Sequence, residues 1–214
     1  NLKDVINNKA KFNEVKSIIR QWLCLSLLKG VFGGQPDNVL NKIRKVLEKH
    51  KGDCVFPLDE IKDTFKEDAV KNLSFSEEFI DGLLTTQKDQ ANCYTILALI
   101  YTHLNFNQEF HKDHLHPFSF FDKLEQGTMS DEEYAFYKNP LNYNSILNLQ
   151  LLNSSLNESK LDTPLIQWVK EKNIDLDTQL IPKNVSLDIT NFKDFITERR
   201  KMLKQRLLSI VGKD

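Results

Sequence analysis

From Lys11 to Lys29 the apolar positions Phe12, Val15, Ile18, Ile19, Trp22, Leu23 and Leu27 recur at steps of three and four, the period of an amphipathic helix. Gly30 is expected to end it, because glycine takes the left-handed conformation of a helix stop without steric cost. A second helix is predicted from about Asp37 to His50, with Asp37 as its cap and Val39, Leu40, Ile43, Val46 and Leu47 as its buried stripe. Short helices follow over Leu58–Phe65 and Ser76–Leu84; in the second, Ser76 ahead of Glu77 and Glu78 places a cap and acids at a helix start. The stretch Ala91–Leu104 is apolar nearly all round and is predicted as a central helix buried on most sides.

The helical period is then lost. His, Asp, Asn, Pro and Phe crowd Asn105–Phe121, which reads as strand or loop. A helix is expected at Ser130–Tyr137, a short apolar strand at Ser145–Leu152, and a polar helix start in Asn153–Lys160. Helical phase resumes at Pro164–Lys172, with Pro164 in the first turn. From about Thr190 to Val211, Phe192, Phe195, Ile196, Leu203, Leu207 and Ile210 share one face, and Arg199, Arg200, Lys201, Lys204 and Arg206 are expected mostly elsewhere, giving a long basic amphipathic helix.

Composition narrows the classes. Seven glycines in 214 residues disfavour Gly-rich phosphate loops and dinucleotide-binding folds, and neither GxGxxG nor GxxxxGK[ST] occurs. Mean hydropathy is −0.43, and the longest apolar run falls well short of the ~20 residues a bilayer helix needs, so no membrane partner is expected. The start, NLKDVINNKAKF, is polar and lacks both a signal sequence and an initiator Met, so a piece of a longer protein is expected. Cys24, Cys54 and Cys93 are odd in number and widely spaced; they read as core thiols in a reducing, cytoplasmic setting.

The net charge of −1 conceals a strong asymmetry. Residues 1–52 carry +7, residues 53–192 carry −12 and residues 193–214 carry +4. Basic ends of this kind are either solvated helix faces or a footprint for the phosphate backbone of DNA.

Four of the five histidines lie in His103–His116, three of them in HKDHLHP. On a regular strand His114 and His116 would point together and Asp113 opposite, unless a turn re-aims them. Polar loop histidines are one reading and zinc another, although no CxxC or HxxxH partner set accompanies them. A third reading gains from what lies downstream. DHLHP, then ILNLQLL, then LNESK resembles in order the HNH nucleases, the ββα-metal or His-Me finger class. That resemblance implies His114 as general base, Asp113 and Asn157 as ligands of one Mg²⁺ or Mn²⁺, and Asn148 holding the loop and orienting His114. Lys160 would add charge at the phosphate, His116 is a possible phosphate contact, and Arg199, Arg200 and Lys204 would hold DNA. His111 is taken as a bystander. The chemistry suits these residue types, because phosphodiester hydrolysis needs a base near neutrality and a positive centre on the phosphate oxygens. Asp and Asn are hard oxygen donors suited to Mg²⁺.

Taken further, DHLHPFSFF, NSILNLQLLNSSLNESKLDTPLIQWV and FITERRKMLKQRL are similar to the C-terminal nuclease portion of GmrSD-type restriction and phage-defence proteins, and residues 1–100 to the helical region before it. The resemblance implies a mainly α fold, a helical bundle with an inserted small ββα-metal finger. It places a helical domain at 1–104, the finger at 105–175 with an insertion at about 118–144, and a C-terminal basic helix in 176–214. It further implies a nucleotide-hydrolysing N-terminal domain of the same protein as a partner, outside this chain. Two features depart from the family pattern: the His114-to-Asn157 spacing is long, and the last motif position is Asn rather than His. The competing class is a non-catalytic helical module that binds DNA or protein and keeps the finger as scaffold.

Overall fold

Asn8 caps helix α1 (Lys9–Leu28), its side chain accepting from the Lys11 N–H at 3.2 Å. The computed structural model describes residues 8–53 and 55–211, which divide into two compact units. One comprises the described residues up to Ser76 together with those from Ser209 onward; the other is Glu77–Leu208.

In the first unit α1 ends at Leu28 with Lys29 as its C-cap, and Gly30 just beyond takes φ +60°, a conformation that favours glycine. Helix α2 (Pro36–Lys49) starts one residue earlier than expected. Pro36, with its fixed φ, occupies the first helical position, Gln35 is the N-cap and Asp37 lies in the first turn instead of capping. Helix α3 (Leu58–Thr64) follows. Leu25, Val39, Ile43, Val46, Ile61 and Phe65 are buried and form the core of this unit. The expected apolar stripe of α1 is only partly used: Phe12, Ile19, Leu23 and Leu27 are exposed, and burial shifts to Cys24, Leu25, Ser26 and Leu28 at the C-terminal end. Leu40 and Leu47 of α2 are exposed as well.

The second unit opens with α4 (Glu77–Leu84) and α5 (Cys93–Ile100). The expected central helix is thus eight residues long, and Tyr101, fully buried, ends it. Strand β1 (Phe110–His114) follows, then the insertion, which folds as α6 (Phe118–Asp122), α7 (Asp131–Lys138) and α8 (Pro140–Tyr143). Ser130 and Glu133 close a reciprocal capping box at the start of α7. A single 3₁₀ turn (Ile146–Asn148) leads into β2 (Leu149–Asn153), and α9 (Ser154–Lys160) begins at once, capped by Asn153. Helices α10 (Leu165–Lys172) and α11 (Phe192–Val211) complete the chain.

The two strands pair antiparallel, with register Phe110↔Asn153 through Asp113↔Gln150 to His114↔Leu149. They form the one sheet among the described residues, and α9 lies against both. The protein is therefore mainly α with a small antiparallel sheet. The insertion is anchored by aromatic contact: Phe121 stacks on Tyr143 at 5.2 Å and meets Phe192 of α11 at 4.7 Å.

The division at Ser76/Glu77 cuts the expected 1–104 segment, and residues 105–175 share one unit with α11 up to Leu208. Among the described residues no helix is long and apolar enough to cross a membrane. Cys24 and Cys93 are buried free thiols, as expected, and Cys54 lies outside the described residues.

Candidate functional site

The site is built where β1 ends. A strand cannot continue through Leu115-His116-Pro117, because Pro117 lacks an N–H and starts the next helix at φ −56°. The backbone bends there, and Asn148 holds the bend. Its Oδ1 accepts from the His116 N–H at 3.0 Å, and its Nδ2 donates to the His116 carbonyl at 3.0 Å and the Tyr143 carbonyl at 2.9 Å. The Asn148 carbonyl also accepts from the Leu115 N–H at 2.8 Å. Fully buried and bonded to both the N–H and the carbonyl of His116, Asn148 fixes the loop after His114.

His114 itself is oriented by another residue. Its Nε2 lies 3.0 Å from Asn144 Oδ1, so Nε2 carries the ring proton and Nδ1 keeps its lone pair. Nδ1 has no hydrogen-bond partner among the described residues and is not among the sealed polar atoms, so solvent reaches it. Phe118 covers the ring at 5.8 Å. Burial first, and then the Lys88 ammonium, push the His114 pKa down to about 4, so the ring is neutral at pH 7.

Asp113 points to the other side of β1, opposite Gln150 in the register. Its Oδ2 takes both of its contacts: Gln150 Nε2 at 3.1 Å and Lys160 Nζ at 3.1 Å. Lys160 is buried at the end of α9, donates also to the His114 carbonyl at 2.6 Å, and lies 5.7 Å over the Trp168 ring. It therefore ties α9 to β1 and is not a surface charge, which corrects its expected place at the phosphate. Burial lowers its pKa, and the Asp113 carboxylate opposes that shift. Asn157 sits one helical turn before Lys160, half-buried, with no side-chain hydrogen bond among the described residues.

Among the described residues no group of three or more His, Cys, Asp or Glu side chains is placed to hold a metal ion. The expected ligands, one carboxylate and one carboxamide, are of a different kind. Their donor chemistry suits a hard cation, since both bonds to Asp113 fall on Oδ2 and leave Oδ1 without one, and the Asn157 carboxamide is unengaged.

The expected DNA contacts move most. His116 turns into the core, 1% exposed, with its ring edge-on to Phe195 at 4.6 Å and Phe192 at 5.4 Å. Burial pushes its pKa down to about 3 and leaves Nε2 without a partner. Arg199 is fully buried, donating to the Tyr101 hydroxyl and the Leu149 carbonyl, each at 2.8 Å. Neither group reaches the surface as a phosphate contact. Lys204 is paired with Glu77 at 2.9 Å and Asp81 at 3.0 Å, and Arg200 remains half-buried. His111 meets Ser154 Oγ at 3.1 Å at the start of α9.

Three residues of the site were not expected from the sequence: Asn144, Gln150 and Lys88. For Gln150 a signal existed, because an antiparallel register that pairs β1 with β2 sets it opposite Asp113. No family model and no curated protein matches this chain.

Proposed function

We propose that this chain is a metal-dependent DNA endonuclease of the HNH, ββα-metal kind, hydrolysing phosphodiester bonds as part of a larger restriction or phage-defence protein. The observation that supports it is the succession β1, β2, α9, with Asp113 and His114 at the end of the first strand, Asn148 locking the following bend, and Asn157 on the helix. In this reading His114 Nδ1 takes a proton from the attacking water, while Asn144 holds Nε2 and so keeps the base nitrogen open. With its pKa pushed down to about 4 the ring is neutral at pH 7 and able to accept, though a weaker base than an ordinary imidazole. Asn148 keeps the His114 backbone from drifting as the proton moves. Asp113 Oδ1 and Asn157 Oδ1 would hold Mg²⁺ or Mn²⁺, which when bound supplies positive charge to the scissile phosphate and its leaving oxygen. A nucleotide-hydrolysing N-terminal domain of the same protein as partner belongs to the same proposal.

One observation favours the alternative, a non-catalytic helical module. Lys160 already neutralises Asp113 and competes with a divalent ion for that carboxylate. Plasmid nicking separates the two readings. Wild type is expected to nick supercoiled plasmid with Mg²⁺ and not with chelator, and His114→Ala is expected to lose at least 100-fold of that activity, on the order of what general-base catalysis supplies. Asp113→Ala is expected to weaken Mn²⁺ binding by calorimetry. Equal nicking by His114→Ala would overturn the base assignment, and no nicking by wild type with Mg²⁺ would favour the scaffold reading.

A further inference from the structure

Once the cations of α11 are taken up inside the second unit, the polyanion seat must be sought elsewhere. Lys193 pairs with Glu132, Lys201 with Glu198, Lys204 with Glu77 and Asp81, and Arg199 is buried. The +7 of residues 1–52 is distributed otherwise. On α2, Asn38 and Lys42, and Asn41 and Lys45, are each four residues apart, so the four share one face, roughly a third of a turn from the buried Val39, Ile43 and Val46. That face is concave. Lys42 and Lys45, with Lys71 from the chain after α3, line a depression of about 520 Å³ together with Asn38 and Asn41.

The three ammoniums are held differently. Lys42 lies 5.4 Å over the Phe65 ring, which fixes its stem without neutralising it. Lys71 is tethered to the Gly33 carbonyl, a neutral acceptor, and shares with Lys42 the field of the one Asp68 carboxylate. Lys45 is exposed and has no ion-pair partner among the described residues. The single carboxylate in the depression is Asp68, whose Oδ1 is turned to the N–H groups of Val70 at 3.0 Å and Lys71 at 2.8 Å. Three cations against one inward-bonded carboxylate, flanked by amide side chains that donate and accept, match a phosphodiester with its sugars.

We propose that this face of α2, with Lys42, Lys45 and Lys71, seats the phosphate backbone of duplex DNA. The choice of DNA rests on the nuclease reading above; the presence of an anion seat does not. The contact positions the chain on the duplex and reads no sequence, because no group in it is shaped for base edges.

The test uses the whole chain carrying His114→Ala, in chelator, so that binding is measured apart from cleavage. Fluorescence anisotropy with a labelled duplex of about 20 base pairs is followed across a salt series. Lys42→Gln/Lys45→Gln/Lys71→Gln is expected to weaken binding about tenfold or more at low salt and to flatten the slope of log K against log salt by about 2.7, the release from three phosphates. Lys42→Glu/Lys45→Glu, which keeps the Lys71 tether, is expected to weaken it further, and Lys183→Gln, at a lysine already paired with Asp177, to leave both affinity and slope in place. An unchanged slope in the triple variant, no duplex binding by the parent, or equal capture of poly-L-glutamate would overturn the proposal. Duplex binding with no Mg²⁺-dependent nicking by the wild-type chain would remove the nuclease reading and leave this one standing.

Discussion

His114 and His116 are two residues apart, and both are kept neutral by burial, with opposite outcomes. His114 keeps a solvent-reached Nδ1, whereas His116 packs its ring between Phe192 and Phe195. Their folded pKa values, about 4 and about 3, lie below the ordinary histidine value of 6.5. Between 6.5 and those values the unfolded chain binds more protons than the folded one, so stability is full above pH 6.5 and is lost as pH falls toward 4. Each group is expected to cost about 1.4 kcal/mol for each unit of pH through its window. Urea midpoints measured from pH 7.5 to 4.5 should show this loss, and His116→Phe should make the profile shallower; a flat wild-type profile would contradict the burial of both rings. At this scale the sequence marked Asp113, His114 and Asn148 by type and order. It could not mark Asn144, at the end of the insertion, or Lys88, in the connection before the central helix, because only the tertiary fold brings either to His114.

At the scale of elements, the short strand pair depends on one carboxamide. Removing the Asn148 side chain leaves the His116 N–H and the His116 and Tyr143 carbonyls without partners in a site closed to water. Asn148→Ala is therefore expected to destabilise the chain by about 3 kcal/mol, measured by denaturant unfolding, with loss of nicking at temperatures where the variant remains folded. A loss under about 0.5 kcal/mol would mean that the bend is held by Pro117 and the strand ladder instead. The helices were legible because a 3.6-residue period survives in one sequence: α2, α3, α4, α7, α10 and α11 stand within a few residues of their expected positions. Where the period was not amphipathic, legibility failed. Ala91–Leu104 is apolar all round, and nothing in that pattern said that the helix would stop at Ile100. In α1 the periodic stripe was present but only part of it is covered: Trp22 packs on Phe32 and Phe56, whereas Phe12, Ile19, Leu23 and Leu27 stay exposed, a fact of tertiary packing that periodicity does not contain.

Across the whole molecule, the basic ends of the sequence separate into two kinds of charge. The C-terminal cations serve the interior and its surface pairs, and the cations of α2 face solvent. Arg199 is the informative case, since its position was readable: it falls three residues after Ile196 and four before Leu203, in phase with the buried stripe. Its charge argued for the surface, and its phase for the core. In the fold, phase decides, because Tyr101 and Leu149 receive two of its donors. Its Nε and Nη1 remain without partners, so the buried guanidinium is an imperfectly satisfied charge. Arg199→Met, which keeps volume and removes that burden, is expected to stay within about 1 kcal/mol of wild type, whereas Arg199→Ala opens a cavity and is expected to lose about 3 kcal/mol. Duplex affinity should be unchanged in the Met variant and in Lys204→Gln, because neither side chain is free to meet a phosphate. A tenfold loss of duplex affinity in a stably folded Arg199→Met chain would return the DNA contact to α11 and place Arg199 at the surface when DNA is bound.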